Sequence, residues 1–190
     1  MDRAAISARI LTATGEIVAA VRPEQLDGPT PCGPWTLGQL LGHMVGHNIG
    51  WAAAANGNPV GAEAWDRLDI TDPAVEYEAS AGAVAAAFAA PDATDPIEVY
   101  GYGTLPLSTG MGMLIVDYVV HGWDVARSID YPWDYDEELV EAAYRIMLRF
   151  PTNRPNKAFD VMVPVADDAS ITDKLMAYVG RDPRWSPPVR

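Results

Sequence analysis

The sequence predicts an all-α fold, a single helical bundle of four main helices with a C-terminal extension of short strand and helices. Three observations carry that reading. Apolar residues recur at helical spacing in long segments, several segments begin on capping residues, and no linker is long enough to separate domains. At 190 residues the chain fits one domain, spanning 1–190, and can bury a real core without disulfides.

The elements follow in order. Ile6, Ile10, Leu11, Ile17, Val18 and Val21 keep one apolar stripe on a helix over residues 3–21. Pro23, Gly28, Pro29, Pro31, Gly33 and Pro34 then forbid its continuation. Thr36, with Gln39 three residues later, forms a capping-box signal for a second helix from Leu37 to Ala55, which Asn56-Gly57-Asn58-Pro59 ends. After a polar connection, Asp72 caps and Pro73 opens a third helix over about Ala74–Ala90, whose Ala-rich interior has high helix propensity. The stretch Asp92–Pro106 reads as irregular, with Ile97-Glu98-Val99-Tyr100 a short extended piece before Gly101 and Gly103 turn the chain.

The fourth helix spans Leu107–Ser128, with Ser108 or Thr109 as its expected cap and Met113, Val116, Val120 and Trp123 among its apolar positions. A fifth, about Asp136–Phe150, follows the Tyr131-Pro132-Trp133 turn. A strand-like run from Ala158 to Val165 precedes a final helix that Ser170 and Asp173 cap and Gly180 closes.

Composition bounds the function. Hydrophobic residues at 49% and charged residues at 21% are those of a folding chain rather than a disordered one. Asp and Glu number 26 against 13 Lys and Arg, a formal charge of -13, which disfavours nucleic acid and anionic membrane faces as partners. The densest acidic run, Asp134 to Glu138, reads as a solvated helix start. One cysteine, Cys32, excludes an intramolecular disulfide and any zinc-finger cluster, and fits a reducing cytoplasm. No stretch approaches the ~18 apolar residues that span a bilayer, so the expected protein is neither exported nor membrane-inserted.

The three histidines are the most informative residues. His43 and His47 lie four apart in one helix, and His121 lies four after Asp117 in another, so each pair shares a helix face. Two such helices can converge on one metal ion, with His43, Asp117 and His121 as ligands and open positions left for water or substrate. That set suits Zn(II), Ni(II) or Fe(II) alike. An Asp117–His121 ion pair with His43 elsewhere is the alternative, since an ionisable group in an apolar helix needs some partner. His47 has three readings: a fourth ligand, a proton carrier behind the ligands, or a rim residue. Trp35, Trp51 and Trp123 are candidate cavity walls, with plain core the commoner role of a buried Trp. Asp124 and Arg127 read as a surface or interhelical pair, and Cys32 as a packed thiol. No G-x-S-x-G elbow, Walker loop, G-x-G-x-x-G or H-E-x-x-H occurs, so metal-supported chemistry is the remaining sharp hypothesis.

Four segments carry a resemblance: Thr30-Pro31-Cys32-Gly33-Pro34-Trp35-Thr36, Leu40-Leu41-Gly42-His43-Met44-Val45, Asp117-Tyr118-Val119-Val120-His121-Gly122-Trp123-Asp124-Val125-Ala126-Arg127, and Gly180-Arg181-Asp182-Pro183. In this order, across nearly the whole chain, they resemble the DinB-like superfamily, and within it the proteins with a mycothiol-dependent maleylpyruvate isomerase N-terminal domain. The resemblance implies a four-helix bundle, up-down-down-up, holding a divalent metal. Motif position assigns the ligands to His43, Asp117 and His121, and Asp117 departs from the family's usual Glu or His. The resemblance leaves His47 outside that set, where it is the candidate catalytic residue.

The implied function is a metal-dependent enzyme that uses a low-molecular-weight thiol, mycothiol-like, in an S-transferase or isomerase reaction. Its expected partners are a small-molecule substrate and the thiol, with a homodimer left open. Two other readings stand beside it: a non-catalytic binding or assembly module that retains only the outline of the metal site, and a non-haem iron oxygenase built on two His and one carboxylate.

Overall fold

The structure, a computed structural model, describes residues 2–149 and 159–188. These are mostly helical, with a small two-stranded sheet. The helices are α1 Arg3–Ala19, α2 Leu37–Ala55, α3 Ala62–Trp65, α4 Pro73–Ala89, α5 Leu107–Ser128, α6 Glu137–Met147 and α7 Ile171–Tyr178; the strands are β1 Ile97–Val99 and β2 Gly103–Leu105. Of the described helices, none is long and apolar enough to cross a membrane.

Helices α1, α2, α4 and α5 pack around a shared core, α2 against α4 and α5, and α1 against α4 and α5. Helix α6 lies on α5, and α7 on α6. Ile10, Leu37, Leu40, Leu41, Leu114 and Val119 are fully buried there. Each such aliphatic side chain stabilises the fold by roughly 1.5–3 kcal/mol through burial. Strands β1 and β2 pair antiparallel with Ile97 opposite Leu105 and Val99 opposite Gly103. Ile97 and Val99 are buried while Glu98 is exposed, the alternation of a ribbon with one face on a core.

Local chemistry explains the boundaries. Thr36 Oγ1 accepts from the Gln39 N–H and the Gln39 side chain accepts from the Thr36 N–H, so α2 starts on a complete capping box. Asp72 accepts from Val75, ahead of Pro73 in the first turn of α4. Gly180 follows α7 at φ +83, a left-handed conformation that favours glycine.

Several expectations are corrected. Neither Ser108 nor Thr109 caps α5; Pro106 precedes it, and the Leu107 N–H is satisfied by Asp95 Oδ1 at 3.0 Å. Of the expected strand, Phe159–Val165 forms no strand, while Ala158 lies outside the described residues. Phe159 packs against the core, but Val161, Met162 and Val165 face water, Val161 at 84% exposure, and the segment's backbone contact to a named element is the Val163 N–H donating to the Ala177 carbonyl at 2.9 Å. Apolar content without an adjacent strand edge does not make a strand. The fifth expected helix begins at Glu137 and ends at Met147, with Phe150 outside the described residues. The connection after α2, expected as polar loop, holds the short helix α3.

That short helix is seated on a row of glycines. Gly42, Gly46 and Gly50 stand one turn apart on α2, and residues 64–69 lie directly over them. A Cβ on Gly42 would come 2.5 Å from the Leu68 carbonyl carbon; one on Gly46 would strike the Ala64 carbonyl, and one on Gly50 the Trp65 indole.

Candidate metal centre

Helix periodicity puts His43 and His47 one turn apart on α2, and Asp117 and His121 one turn apart on α5. The packing of α2 on α5 brings the pairs face to face. The His43 ring centroid lies 3.8 Å from that of His47 and 5.3 Å from that of His121, the latter edge-on. Asp117 sits among the three imidazoles. Its Oδ1 is 3.4 Å from His121 Nε2, and its Oδ2 is 3.3 Å from His47 Nδ1 and 4.0 Å from His43 Nε2. One donor atom each from His43, Asp117 and His121 lies within 4.8 Å of the other two.

The far side of His121 is held as well. Its Nδ1 is 2.9 Å from Asp124 Oδ2. Asp124, fully buried, receives two hydrogen bonds from Arg181, Nε to Oδ1 at 3.1 Å and Nη2 to Oδ2 at 3.0 Å. Such a forked pair matches guanidinium to carboxylate geometry.

Charges in the centre follow from these neighbours. Burial, and then the nearby charge of His47, push His43 down to about 2, so it stays neutral with a free lone pair at ordinary pH. Burial also opposes charge on His121, but Asp117 and then Asp124 overcome it and raise that imidazole to about 10. Burial works against ionised Asp117, yet the His121 charge and hydrogen bond hold it well below the usual carboxylate range. Asp124 is likewise held low against burial, chiefly by the Arg181 charge.

Within the centre one polar atom lacks a full partner; elsewhere among the described residues Asn48 Oδ1, Trp51 Nε1 and Trp133 Nε1 share that state. Asp117 Oδ2 is buried without a well-aligned hydrogen bond: His47 Nδ1 at 3.3 Å is close enough to help hold the carboxylate low but is poorly aligned, and His43 Nε2 is 4.0 Å away. A buried carboxylate oxygen without a donor is costly in a purely protein site. A divalent ion among His43, Asp117 and His121 is the chemistry such a set fits: two borderline nitrogen donors, one oxygen donor and room for further ligands.

The surroundings sort the other sequence candidates. Trp35 is half-buried with its ring 4.6 Å from His43 and 6.4 Å from His121, so it walls the centre. Trp51 and Trp123 are buried in the core. Trp65, which no sequence pattern marks, lies edge-on to His47 at 5.1 Å and to Trp51 at 4.9 Å. Cys32 packs against the core as expected, and burial pushes its thiol up. Its sulfur lies within 4.8 Å of donor atoms of His121 and Asp124.

The expected Asp124–Arg127 pair is a correction. Asp124 turns inward to His121 and Arg181, while Arg127 donates to the Pro183 carbonyl at 2.7 Å and lies over the Trp123 ring. Helical spacing offers Arg127 as the nearest cation, but position 124 faces the core and a buried carboxylate needs a buried donor. In the sequence, Arg181 stands out only as a member of the Gly180–Pro183 motif.

The two longest helices thus converge two histidines and a carboxylate inside a mostly helical chain, with a third histidine beside them. That combination defines a helical protein with a candidate metal centre. The chain belongs to the mycothiol maleylpyruvate isomerase N-terminal domain family, whose sequence profile matches residues 7–126. Relatives from two strains of Mycobacterium tuberculosis, both described as uncharacterized proteins, are each 32% identical over 192 residues, covering 97% of this chain and 100% of their own. No solved structure matches the chain significantly.

Proposed function

We propose that this protein is a metal-dependent enzyme that uses a low-molecular-weight thiol, mycothiol-like, in an S-transferase or isomerase reaction on a small molecule. The observation that carries the metal is the orphaned Asp117 Oδ2 amid three imidazoles; the thiol comes from the family. His43, Asp117 and His121 are the proposed ligands for zinc, nickel or iron. When bound, such an ion lowers the pKa of a coordinated thiol or water and so supplies a nucleophile near neutral pH.

The chain's own residues prepare the rest. Neutral His43 offers a lone pair without first losing a proton. His47 turns Nδ1 toward Asp117, which leaves Nε2 as the atom that takes up and passes on the thiol proton. Trp35 keeps bulk water off one side of His43. The proposed frame is a four-helix bundle in up-down-down-up order, with residues 1–190 as one domain. A cytoplasmic location and a homodimer belong to the same proposal.

A second reading has its own observation. His121 sits between two carboxylates, and Asp124 is further paired with Arg181, so much of the polar set satisfies itself. In that reading the residues fix helix register in a non-catalytic assembly module. Metal analysis of protein purified without a histidine tag separates the two. The enzyme reading expects close to one equivalent of divalent ion, lost in His121→Ala, and turnover with a thiol. Metal-free wild type whose melting is indifferent to added ion and to chelator would leave the module reading in place.

A further inference from the structure

We infer that Arg181 and Asp124 are positioning residues for the candidate centre: the guanidinium orients the carboxylate, the carboxylate holds Nδ1–H of His121, and His121 Nε2 is thereby presented to Asp117. This inference rests on the metal reading above and names the segment of the chain that aims one of its ligands.

The geometry is continuous from tail to site. Arg181 is 4% exposed and Asp124 fully buried, so neither charge is solvated and each depends on the other. Both oxygens of Asp124 are bound by Arg181, which leaves the carboxylate no freedom to rotate away from His121. A carboxylate 2.9 Å from Nδ1 keeps a proton on that nitrogen, so Nε2 is the nitrogen that would release its proton to take up an ion. Without that contact the ring could flip and turn a carbon toward Asp117.

Arg181 is itself held in place. Its N–H donates to the Met176 carbonyl at 2.8 Å, and Gly180 before it turns the chain at φ +83. On the other side of the same turn, Arg127 of α5 donates to the Pro183 carbonyl. Helix α5 therefore grips the Gly180–Pro183 turn at two points, one of which leads to His121. The family match ends at residue 126, and the residue that completes this chain of contacts comes from well past it.

A structural ion pair alone would predict lost stability and nothing more. A positioning pair predicts a change at the metal. The test uses the full-length chain loaded with Co(II), whose visible absorption reports ligand geometry, and compares wild type with Arg181→Met, Arg181→Lys and the double variant Asp124→Ala/Arg181→Met. The double variant removes both charges and so avoids the stranded buried carboxylate that Arg181→Met alone leaves behind. The expected result is a Co(II) affinity lower by about 10–100-fold in the double variant, with an altered spectrum and partial recovery in Arg181→Lys relative to Arg181→Met. A folded double variant with wild-type affinity and spectrum overturns the inference.

Nitrogen-15 NMR of the histidine rings gives a second readout on wild type. A hydrogen-bonded Nδ1–H on His121, absent from the double variant, is expected; a metal-loaded protein with the proton on Nε2 overturns the inference. If wild type takes up no metal, the proposed function falls, and the positioning pair is then judged by the Nδ1–H resonance alone.

Discussion

Tyr118 on α5 donates its phenol to the Met44 carbonyl on α2 at 2.5 Å, joining the residue after Asp117 to the residue after His43. Both side chain and carbonyl are buried, so the bond fixes the relative height of the two helices beside the candidate centre. Tyr118→Phe is expected to lower unfolding free energy by about 1 kcal/mol, the usual net value of one such bond. Denaturant titration measures the loss. A wild-type midpoint would show that packing alone sets the register.

Two histidines set opposite limits on the pH range of the metal-free protein. His121, raised to about 10 in the fold, contributes stability that is full below its ordinary 6.5 and lost as pH climbs toward 10. His43, lowered to about 2, must be neutral in the fold, so stability also falls as pH drops below 6.5. Asp117 and Asp124, both depressed, add further loss below 3.8. Thermal midpoints measured across pH should therefore peak near neutrality; a plateau from pH 4 to pH 9 would contradict both histidine assignments.

The glycines of α2 and α4 separate close packing from helix propensity. Gly42→Ala places a methyl group against the Leu68 backbone and is expected to cost about 1–3 kcal/mol. Gly82→Ala, on an exposed face of α4 with nothing within 4 Å of the new Cβ, should instead stabilise by about 0.5–1 kcal/mol. A melting temperature of Gly42→Ala at or above that of wild type would refute the seating of residues 64–69 on α2.

Cys32 is half-buried with its thiol pushed up by burial, so at pH 7.5 it should react with iodoacetamide more slowly in the folded chain than in urea. Mass spectrometry of the alkylated fraction gives the two rates. Equal rates would place the sulfur at the surface.

The helices that frame the candidate centre are legible in the sequence because their signals are local. Thr36 and Gln39 define the start of α2 within four residues, and the expected spans Leu37–Ala55 and Leu107–Ser128 are those observed. The start of α5 is found although its expected caps do nothing, since the group that satisfies Leu107 is Asp95, twelve residues upstream. Phe159–Val165 fails as a strand for the same kind of reason: pairing depends on a neighbour that a local pattern does not specify. In the candidate centre, the i, i+4 spacings of His43–His47 and Asp117–His121 show which side chains share a face. The partner of Asp124 does not emerge from spacing, because the chain must return from Arg181 before a buried cation reaches it.

Along α2, His43 follows Gly42, His47 follows Gly46, and Trp51 follows Gly50. The donors and the packing surface thus occupy adjacent lines on one cylinder, but tolerate change very differently. A histidine can be traded for a smaller side chain without a clash, whereas a glycine here has almost no substitute. A descendant of this chain that lost its candidate donors would still be compelled to keep its glycines, and the packing groove would outlive the histidines beside it.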